Sequence, residues 1–428
     1  MKRIVTVLIL SLILTLALPI FAAGASAESS ELFSARDLSG SFDEEVFSIT
    51  LSGNTASSDS DRVTVSGGTV TVGGPGTYLV SGTLDNGGIV VDADKQDKVQ
   101  LVLKGVSINS DTGAAVFVSQ ADKVFLTLAE GTSSTLTNGG RFAQDADGKI
   151  DAVIYAKDDL TLNGSGSLTI NSPAGHGIAG KDDVTVTGGS YTITAADSAI
   201  TANDTLAVAG GSFQITTNKD GLHSENSEDD TLGAIYITGG SFVIRAGDDA
   251  VHAESLLQID GGSLDITAAE GLEATYIRIN DGLINISAAD DGVNAARKST
   301  AYTPTVEING GTLTVVMGQG DTDGIDSNGN LIITGGTVNV TAGSAFDYDG
   351  TASFTGGTVI INGQQVDTLP NQMMGGHGGM MGGGRGGMMG DPNAMSGDPG
   401  AMMGGRGGMM GDPNAMTGGP GMHERKNW

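Results

Sequence analysis

The sequence predicts an all-β protein folded as a right-handed parallel β-helix with coils of about 22 residues. Short segments with alternating apolar residues recur along the chain, for example residues 183–188 and 204–210, and such alternation is typical of strands. Each is followed by a glycine and a second alternating segment. From Gly166 to Gly357 that glycine recurs at intervals of 20 to 29 residues, a periodicity typical of solenoids.

Other repeat folds fit this sequence less well. The regular leucine and asparagine ladder of leucine-rich repeats is absent, and so are tandem copies of the glycine-aspartate repeat of calcium β-rolls. A propeller blade needs about 40 residues or more, which exceeds the base period seen here. A parallel β-helix with one repeat per coil remains.

The first 27 residues have the features of a secretory signal peptide. Lys2 and Arg3 precede an apolar run over residues 4–20, and Ala25-Ser26-Ala27 fits a cleavage site. The alternative is a membrane anchor, for which the apolar run is near the lower length limit. We therefore expect a secreted protein, extracellular or associated with the cell surface, with no membrane span after cleavage.

The remaining chain divides into three segments by composition. Residues 28–60 are polar and are interpreted as an N-terminal linker or cap, and residues 61–363 carry the repeats. Residues 364–428 form a Gly/Met-rich tail, in which 13 of the 15 Met residues lie. Because residues 367–428 of this tail lack β-branched apolar residues, the tail is predicted to be disordered. Binding of a soft metal by its Met pairs and weak surface adhesion are the alternatives.

Alternation in the second strand of each coil predicts which side chains face the core. Tyr191, Phe213 and Phe242 occupy the same position in three consecutive coils. Because parallel strands place like residues about 4.7–4.9 Å apart, these rings are expected to form an internal stack. A platform on which sugars stack is the alternative.

The overall composition excludes several functions. The chain has 50 acidic and 21 basic residues and a formal net charge of −29, which disfavours binding to nucleic acid. It has no Cys, so disulfides, Cys-ligated metals and thiol nucleophiles are excluded. A strongly acidic surface instead suits cations, or anionic polymers bridged by cations.

The third segment of each coil carries the strongest chemical pattern. Its first position is acidic in five consecutive coils, its second is Gly or Ala, its third is apolar, and its fourth carries mostly oxygen or nitrogen. Stacking predicts two outward columns. The first column contains Asp220, Asp249, Glu270, Asp291 and Asp323, and the second contains His223, His252, Glu273, Asn294, Asp326 and Asp347.

Carboxylates stacked this closely repel one another unless some are protonated or cations lie between them. Oxygen ligands from several coils suit Ca²⁺, which takes 6–8 of them in flexible geometry. The predicted ligands of several calcium ions are Asp220, Asp249, Glu270, Glu273, Asp291, Asn294, Asp323 and Asp326. A solvated acidic edge is the alternative, and His223 and His252 give a weaker indication of a transition metal.

At these residues the sequence resembles a known family. Residues 76–84, 101–108, 126–132 and 154–168, together with the Asp-Gly-apolar copies, are similar to the secreted, calcium-binding, right-handed β-helix carbohydrate-binding domain proteins of bacteria. The resemblance covers about residues 42 to 363 and implies a fold like that of polysaccharide lyases. It also implies binding, without cleavage, of acidic pectic polymers such as polygalacturonate, and of cellulose. Ser198 and Ser344 replace the acid in their coils, which departs from the pattern.

The polysaccharide is expected to bind at the insertion over residues 296–305. Arg297 and Lys298 supply cations there and Tyr302 supplies a stacking face. No catalytic residue is predicted, because regular columns of stacked acidic residues indicate a repeated arrangement rather than one active site. A monomeric binder is expected. The alternatives are a calcium-dependent lyase, with Arg278, Arg297 or Lys298 as base, and a structural surface adhesin.

Overall fold

The computed structural model describes residues 32–42, 46–142, 144–145, 148–318 and 322–371. These residues form a parallel β-helix, which confirms the predicted fold class. The predicted signal peptide and residues 372–428 of the predicted tail lie outside the described residues.

Each regular coil contributes one strand to each of three parallel stacks. The first stack contains Lys123–Leu128, Asp159–Gly164, Val184–Val186, Thr205–Val208, Ala234–Ile237, Leu256–Ile259, Tyr276–Ile279, Thr305–Ile308, Asn330–Ile333 and Ala352–Phe354. The second contains Ser133–Asn138, Ser167–Ser172, Ser190–Ala195, Ser212–Thr217, Ser241–Arg245, Ser263–Ala268, Leu283–Ala288, Thr312–Met317, Thr337–Thr341 and Thr358–Ile361. The third contains Thr69–Val72, Gly88–Asp92, Val116–Gln120, Ala152–Ala156, His176–Gly180, Ile200–Ala202, Leu222–Ser224, Asp249–Ala253, Glu270–Ala274, Val293–Ala295, Asp323–Ser327 and Ser344–Tyr348. At its N-terminal edge Val63–Ser66 pairs antiparallel with Thr69–Val72.

The first two stacks merge at the N-terminal end. The long strands Gly76–Leu84 and Lys98–Ser110 run through both stacks, and Phe47–Gly53 pairs in parallel with Gly76–Leu84. A short hairpin of Gln144–Asp145 and Gly148–Lys149 lies outside the stacks.

The recurring glycine marks the turn from the first to the second stack. Gly211 and Gly240 have φ values of +116° and +104°, a region that side chains with a Cβ rarely adopt. The chain therefore needs glycine at this corner in coil after coil, and this requirement explains the periodicity seen in the sequence.

Apolar side chains from all three stacks fill the core. Tyr191 and Phe213 have ring centroids 5.1 Å apart, and Phe213 and Phe242 have centroids 4.5 Å apart with rings nearly parallel. All three rings are at most 2% exposed, which confirms the internal aromatic stack and excludes these rings as a sugar platform.

The segment interpreted as an N-terminal cap has two parts. The strand Phe47–Gly53 and its antiparallel partner Thr55–Ser58 lie at the N-terminal end of the sheet. Residues 32–42 instead run along the outward face of the first stack. There Asp37 is buried, accepts a hydrogen bond from Thr161 Oγ1 at 2.6 Å, and lies 3.0 Å from Lys123 Nζ.

The C-terminal end is closed by antiparallel pairing. Thr358–Ile361 pairs with Gln364–Val366, so strand structure continues three residues past the boundary expected at 363. Asn371 Nδ2 then donates to the Tyr348 carbonyl oxygen at 2.9 Å, and Leu369 packs against the core.

Candidate cation-binding groove

The two predicted columns lie on the outward face of the third stack. The apolar residue at the third position of each copy, such as Leu222, Val251 and Ile325, is fully buried in the core. Because successive side chains of a strand alternate between faces, the fourth position is turned outward. The side chain at the first position reaches the same face, as the contacts of His223 with Asp220 and of His252 with Asp249 show.

The strand register aligns each column as the sequence predicts. His223 pairs with His252, His252 with Glu273, and Asn294 with Asp326. In the other column Asp249 pairs with Glu270. Each coil therefore adds one residue to each column, with no shift in strand register.

Close packing between coils explains the small residue at the second position. A Cβ added at Gly221 would lie 2.5 Å from the Ala250 carbonyl oxygen, and one added at Gly292 would lie 2.3 Å from Val315 Cγ1. Neither glycine has a positive φ, so the requirement is for space. This tight backbone brings the two columns side by side.

The C-terminal half of the columns presents mainly oxygen atoms. Asn294 Nδ2 donates to Glu270 Oε2 at 3.0 Å and lies 3.4 Å from Glu273 Oε1. Asn294 Oδ1 and Asp347 Oδ1 are buried and accept no hydrogen bond from any described residue. These two acceptors are positioned to bind a cation.

Several carboxyl groups here have strongly raised pKa values. Burial, opposed by a hydrogen bond from Asn294 and reinforced by neighbouring acids, raises the pKa of Glu270 to about 7. Burial and the adjacent carboxylates raise the pKa of Asp326 to about 7 and that of Asp291 to about 6, the latter despite a backbone hydrogen bond. Burial and mutual repulsion thus both disfavour full ionisation of the two columns, which together form the acid ladder.

Histidines occupy the N-terminal half of the second column. His223 Nδ1 lies 3.2 Å from Asp220 Oδ2, and His252 Nδ1 lies 3.1 Å from Asp249 Oδ2. Burial lowers the pKa of His252, but its contacts with Asp249 and Glu273 outweigh burial and the net shift is upward. An open groove of about 450 Å³ runs along this half of the ladder.

The insertion expected to bind polysaccharide, over residues 296–305, joins the third stack to the first. It ends at residue 304, because Thr305 already begins the strand Thr305–Ile308. Lys298 Nζ lies 2.8 Å from Glu273 Oε2, while Arg297 is exposed beside it. Tyr302 packs on the ring of Tyr276, with centroids 5.5 Å apart. Lys298 therefore reaches the acid ladder, whereas Tyr302 lies around the corner, on the outward face of the first stack.

Arg278, considered above as a catalytic base, does not reach the ladder. Its Nε lies 3.0 Å from Glu307 Oε2 and its Nη1 donates to Gln258 Oε1 at 3.1 Å. Gln258 and Glu307 are the register partners of Arg278 in the preceding and the following strand, on the outward face of the first stack. Arg278 is thus held in an ion pair on a different face.

Sequence reasoning missed one residue that contacts the ladder. Glu225 Oε2 lies 3.3 Å from His223 Nε2. Glu225 belongs to the irregular insertion after the strand Leu222–Ser224, where no periodic pattern indicates which way a side chain points. The short distance between Glu225 and His223 therefore depends on the path of that loop.

These observations define a parallel β-helix protein with a groove on one face that is lined mainly by acidic residues and histidines. The chain belongs to the family of carbohydrate-binding domain-containing proteins, whose profile matches residues 66–322 and 271–368.

The chain is similar to two known proteins. Over 137 residues it is 38% identical to a carbohydrate-binding domain-containing protein of Acetivibrio thermocellus. That match covers 32% of this chain and 48% of the relative, so it spans about half of the relative's length. The chain is also similar to the solved polysaccharide lyase-like protein from C. thermocellum, a gadolinium derivative, at 26% identity and a TM-score of 0.46. That alignment covers 71% of this chain and 99% of the solved one.

No helix among the described residues is both long and apolar enough to cross a membrane.

Proposed function

We propose that this protein is a secreted, monomeric, calcium-binding protein that holds acidic polysaccharide on the outward face of the third stack. Polygalacturonate is the preferred ligand and cellulose the second. Membership of the family supports carbohydrate binding in general, and the acid ladder is the reason for proposing an acidic polymer. An acidic protein attracts such a polymer when divalent cations bridge the two sets of carboxylates.

The observation that carries the calcium proposal is the C-terminal half of the ladder. Glu270, Asn294 and Asp326 present oxygen atoms from three consecutive coils, and Asn294 Oδ1 is buried without a partner among the described residues. Calcium accepts carboxylate and amide oxygens at variable number and angle, so this donor set fits it. The residues proposed as ligands there are Glu270, Glu273, Asp291, Asn294, Asp323 and Asp326, while Asp220 and Asp249 lie beside the histidines.

The polymer is proposed to lie beside the 296–304 insertion. Arg297 is exposed at the edge of the ladder and offers a cation to a uronate carboxylate, while calcium bridges others. Lys298 already contacts Glu273, so its share in sugar binding is smaller. Tyr302 offers its exposed ring edge to a polymer that extends around the corner.

A binder without catalysis is favoured over a lyase because of where the candidate bases lie. A lyase needs a base at the C5 proton of a calcium-bound uronate. Arg278 is paired with Glu307 on another face, and Lys298 is paired with Glu273. Arg297 remains the candidate base for the lyase alternative.

A retention assay tests the proposal. Metal-stripped protein is passed over polygalacturonate, cellulose and xylan with calcium or with excess chelator, and the absorbance of unsaturated uronides is followed. We expect calcium-dependent retention on polygalacturonate and no unsaturated product. Asp326→Asn should weaken this retention, whereas Asp265→Asn, an exposed acid on the second stack, serves as the matched control. Equal retention in chelator, or robust product release, would contradict the proposal.

A further inference from the structure

The N-terminal half of the ladder differs chemically from the calcium half. His223 and His252 occupy consecutive coils of the second column, where Glu273, Asn294 and Asp326 follow. Their rings stack with centroids 4.8 Å apart and planes 21° apart. Two imidazoles are therefore fixed one above the other by the backbone.

Each imidazole lies between two carboxylates in the same arrangement. On the inner side, His223 Nδ1 lies 3.2 Å from Asp220 Oδ2 and His252 Nδ1 lies 3.1 Å from Asp249 Oδ2. On the outer side, the Nε2 atoms lie 3.3 Å and 3.5 Å from Glu225 Oε2 and Glu273 Oε2.

This arrangement matches the outer shell of a protein metal site. A metal-ligating imidazole commonly donates its second N–H to a carboxylate, which fixes the tautomer and leaves the other nitrogen as ligand. Here the carboxylates of Glu225 and Glu273 lie close to the two Nε2 atoms, although His223 Nε2 forms no hydrogen bond with a described residue. Both Nδ1 atoms face the inner carboxylates.

We propose that this half of the ladder binds a divalent transition-metal ion of the Zn²⁺ class between two coils. The ligands are Nδ1 of His223 and of His252 and the carboxylates of Asp220 and Asp249. Donor atoms of Asp220, His223 and His252 all lie within 4.8 Å of one another, and those of Asp249, His252 and Glu273 do so as well. Two imidazoles and two carboxylates form the four-coordinate nitrogen and oxygen set that Zn²⁺ accepts.

Burial supports a bound ion at this position. Asp220 and Asp249 are only 7% and 5% exposed, and a buried carboxylate is costly unless a cation compensates its charge. The ammonium of Lys298 contacts Glu273 on the far side of His252, which disfavours a second cation there. The ion therefore lies between the coils of His223 and His252.

Nitrogen donors separate this site from the proposed calcium site. Calcium takes oxygen ligands, whereas imidazole favours Zn²⁺, Co²⁺ and their neighbours. The transition-metal site also does not depend on the polysaccharide, so it stands or falls independently of the proposed function.

The test uses Co²⁺ as a spectroscopic probe. The metal-stripped full-length chain is titrated with Co²⁺ in excess calcium, and the visible absorption is recorded. We expect one equivalent to bind with the intense bands of four-coordinate Co²⁺ and to be displaced by Zn²⁺. Weak bands of six-coordinate Co²⁺, or competition by calcium, would overturn the proposal.

Variants assign the signal to these residues. His223→Gln and His252→Gln should each weaken Co²⁺ binding by at least tenfold, and Glu225→Gln should weaken it by about 10–100-fold, as loss of an outer carboxylate does. Asp265→Asn, an exposed acid on the second stack, is the matched control and should leave the Co²⁺ spectrum unchanged.

The remaining histidines provide an internal check. His176, which lines the same groove, and His377 and His423 of the tail are retained in every variant, so Co²⁺ binding that persists in His223→Gln places the ion elsewhere and overturns the proposal. If His223→Gln fails to fold, Glu225→Gln decides, because the Glu225 side chain is 56% exposed and contributes no core packing. Unchanged Co²⁺ affinity in a folded Glu225→Gln protein would likewise contradict the assignment.

Discussion

Lys298 Nζ lies 2.8 Å from Glu273 Oε2, and this contact ties the 296–304 insertion to the acid ladder. Thr275, at the corner between the third and first stacks, anchors the same loop by accepting hydrogen bonds from the backbone N–H groups of Lys298 and Ser299 at 2.9 and 2.8 Å. The loop is therefore held against the ladder. Both of its cations are exposed, but Lys298 is paired with Glu273, which leaves Arg297 as the cation more readily offered to an incoming polymer.

This difference between neighbouring cations leads to the first prediction. Arg297→Ala should weaken retention on polygalacturonate by about 1–3 kcal/mol, the range for a lost charge-assisted hydrogen bond. Lys298→Ala should weaken it less, because Lys298 already contacts Glu273. Binding isotherms in calcium measure both effects. Equal affinity of Arg297→Ala and the wild type would indicate that Arg297 only neutralises nearby acids.

The raised carboxyl pKa values predict how stability without calcium depends on pH. The folded-state pKa values of Glu270 and Asp326 are about 7 and that of Asp291 is about 6, above their ordinary values. The folded chain therefore holds protons that the unfolded chain releases, so the stability from these groups is present below about pH 4 and is lost as the pH rises through 6 to 7. If calcium binds the ionised carboxylates as proposed, we expect it to remove this loss of stability.

The measurement is the difference in Tm between calcium and chelator as a function of pH. We expect this difference to be small at about pH 5 and to increase up to about pH 7.5, because the binding contribution grows as the ligands ionise. Asp326→Asn should reduce the increase, since it removes one titrating group. A difference that stays constant with pH, or that is zero throughout, would count against the calcium assignment.

Much of this architecture follows from the sequence because a parallel β-helix repeats one local environment. A side chain such as Phe213 sits directly between its counterparts in the two adjacent coils, so alternation within one strand and alignment between coils together determine its burial. The same logic predicts the positions of His223, Asn294 and Asp326 in one column.

The parts that the sequence did not reveal lie in irregular segments. The position of Asp37 against Thr161 joins residues far apart in sequence and follows no repeat. The insertion after Leu222–Ser224 also contacts the 296–304 insertion three coils further on: the Thr300 backbone N–H donates to Asp230 Oδ2 at 2.9 Å. Because such contacts depend on loop paths, periodicity gave no indication that Glu225 approaches His223.

The aromatic stack is the part of the core that we expect to be least tolerant of substitution. Phe213 is fully buried between Tyr191 and Phe242, so Phe213→Ala leaves a cavity bounded by two rigid rings. We expect a loss of about 3–5 kcal/mol of stability, as for other buried Phe residues. Thermal unfolding in saturating calcium measures this loss apart from any metal effect. Phe213→Leu, which keeps most of the volume, should lose less, and an equal loss in both variants would argue against a cavity as the cause.

The last prediction concerns the tail and where it can be removed. Asn371 Nδ2 donates to the Tyr348 carbonyl oxygen and Tyr348 Oη lies 3.4 Å from the Leu369 carbonyl oxygen, so residues up to 371 belong to the closing end of the β-helix. Beyond them the sequence is rich in Gly and Met and lacks the β-branched apolar residues that build strands. Truncation after Asn371 should therefore leave the Tm unchanged, whereas truncation after Val366 should lower it by removing the contacts of Leu369 and Asn371. Thermal unfolding of the two truncated chains in calcium compares them directly, and a drop of many degrees in the longer one would mean that residues 372–428 pack against the β-helix.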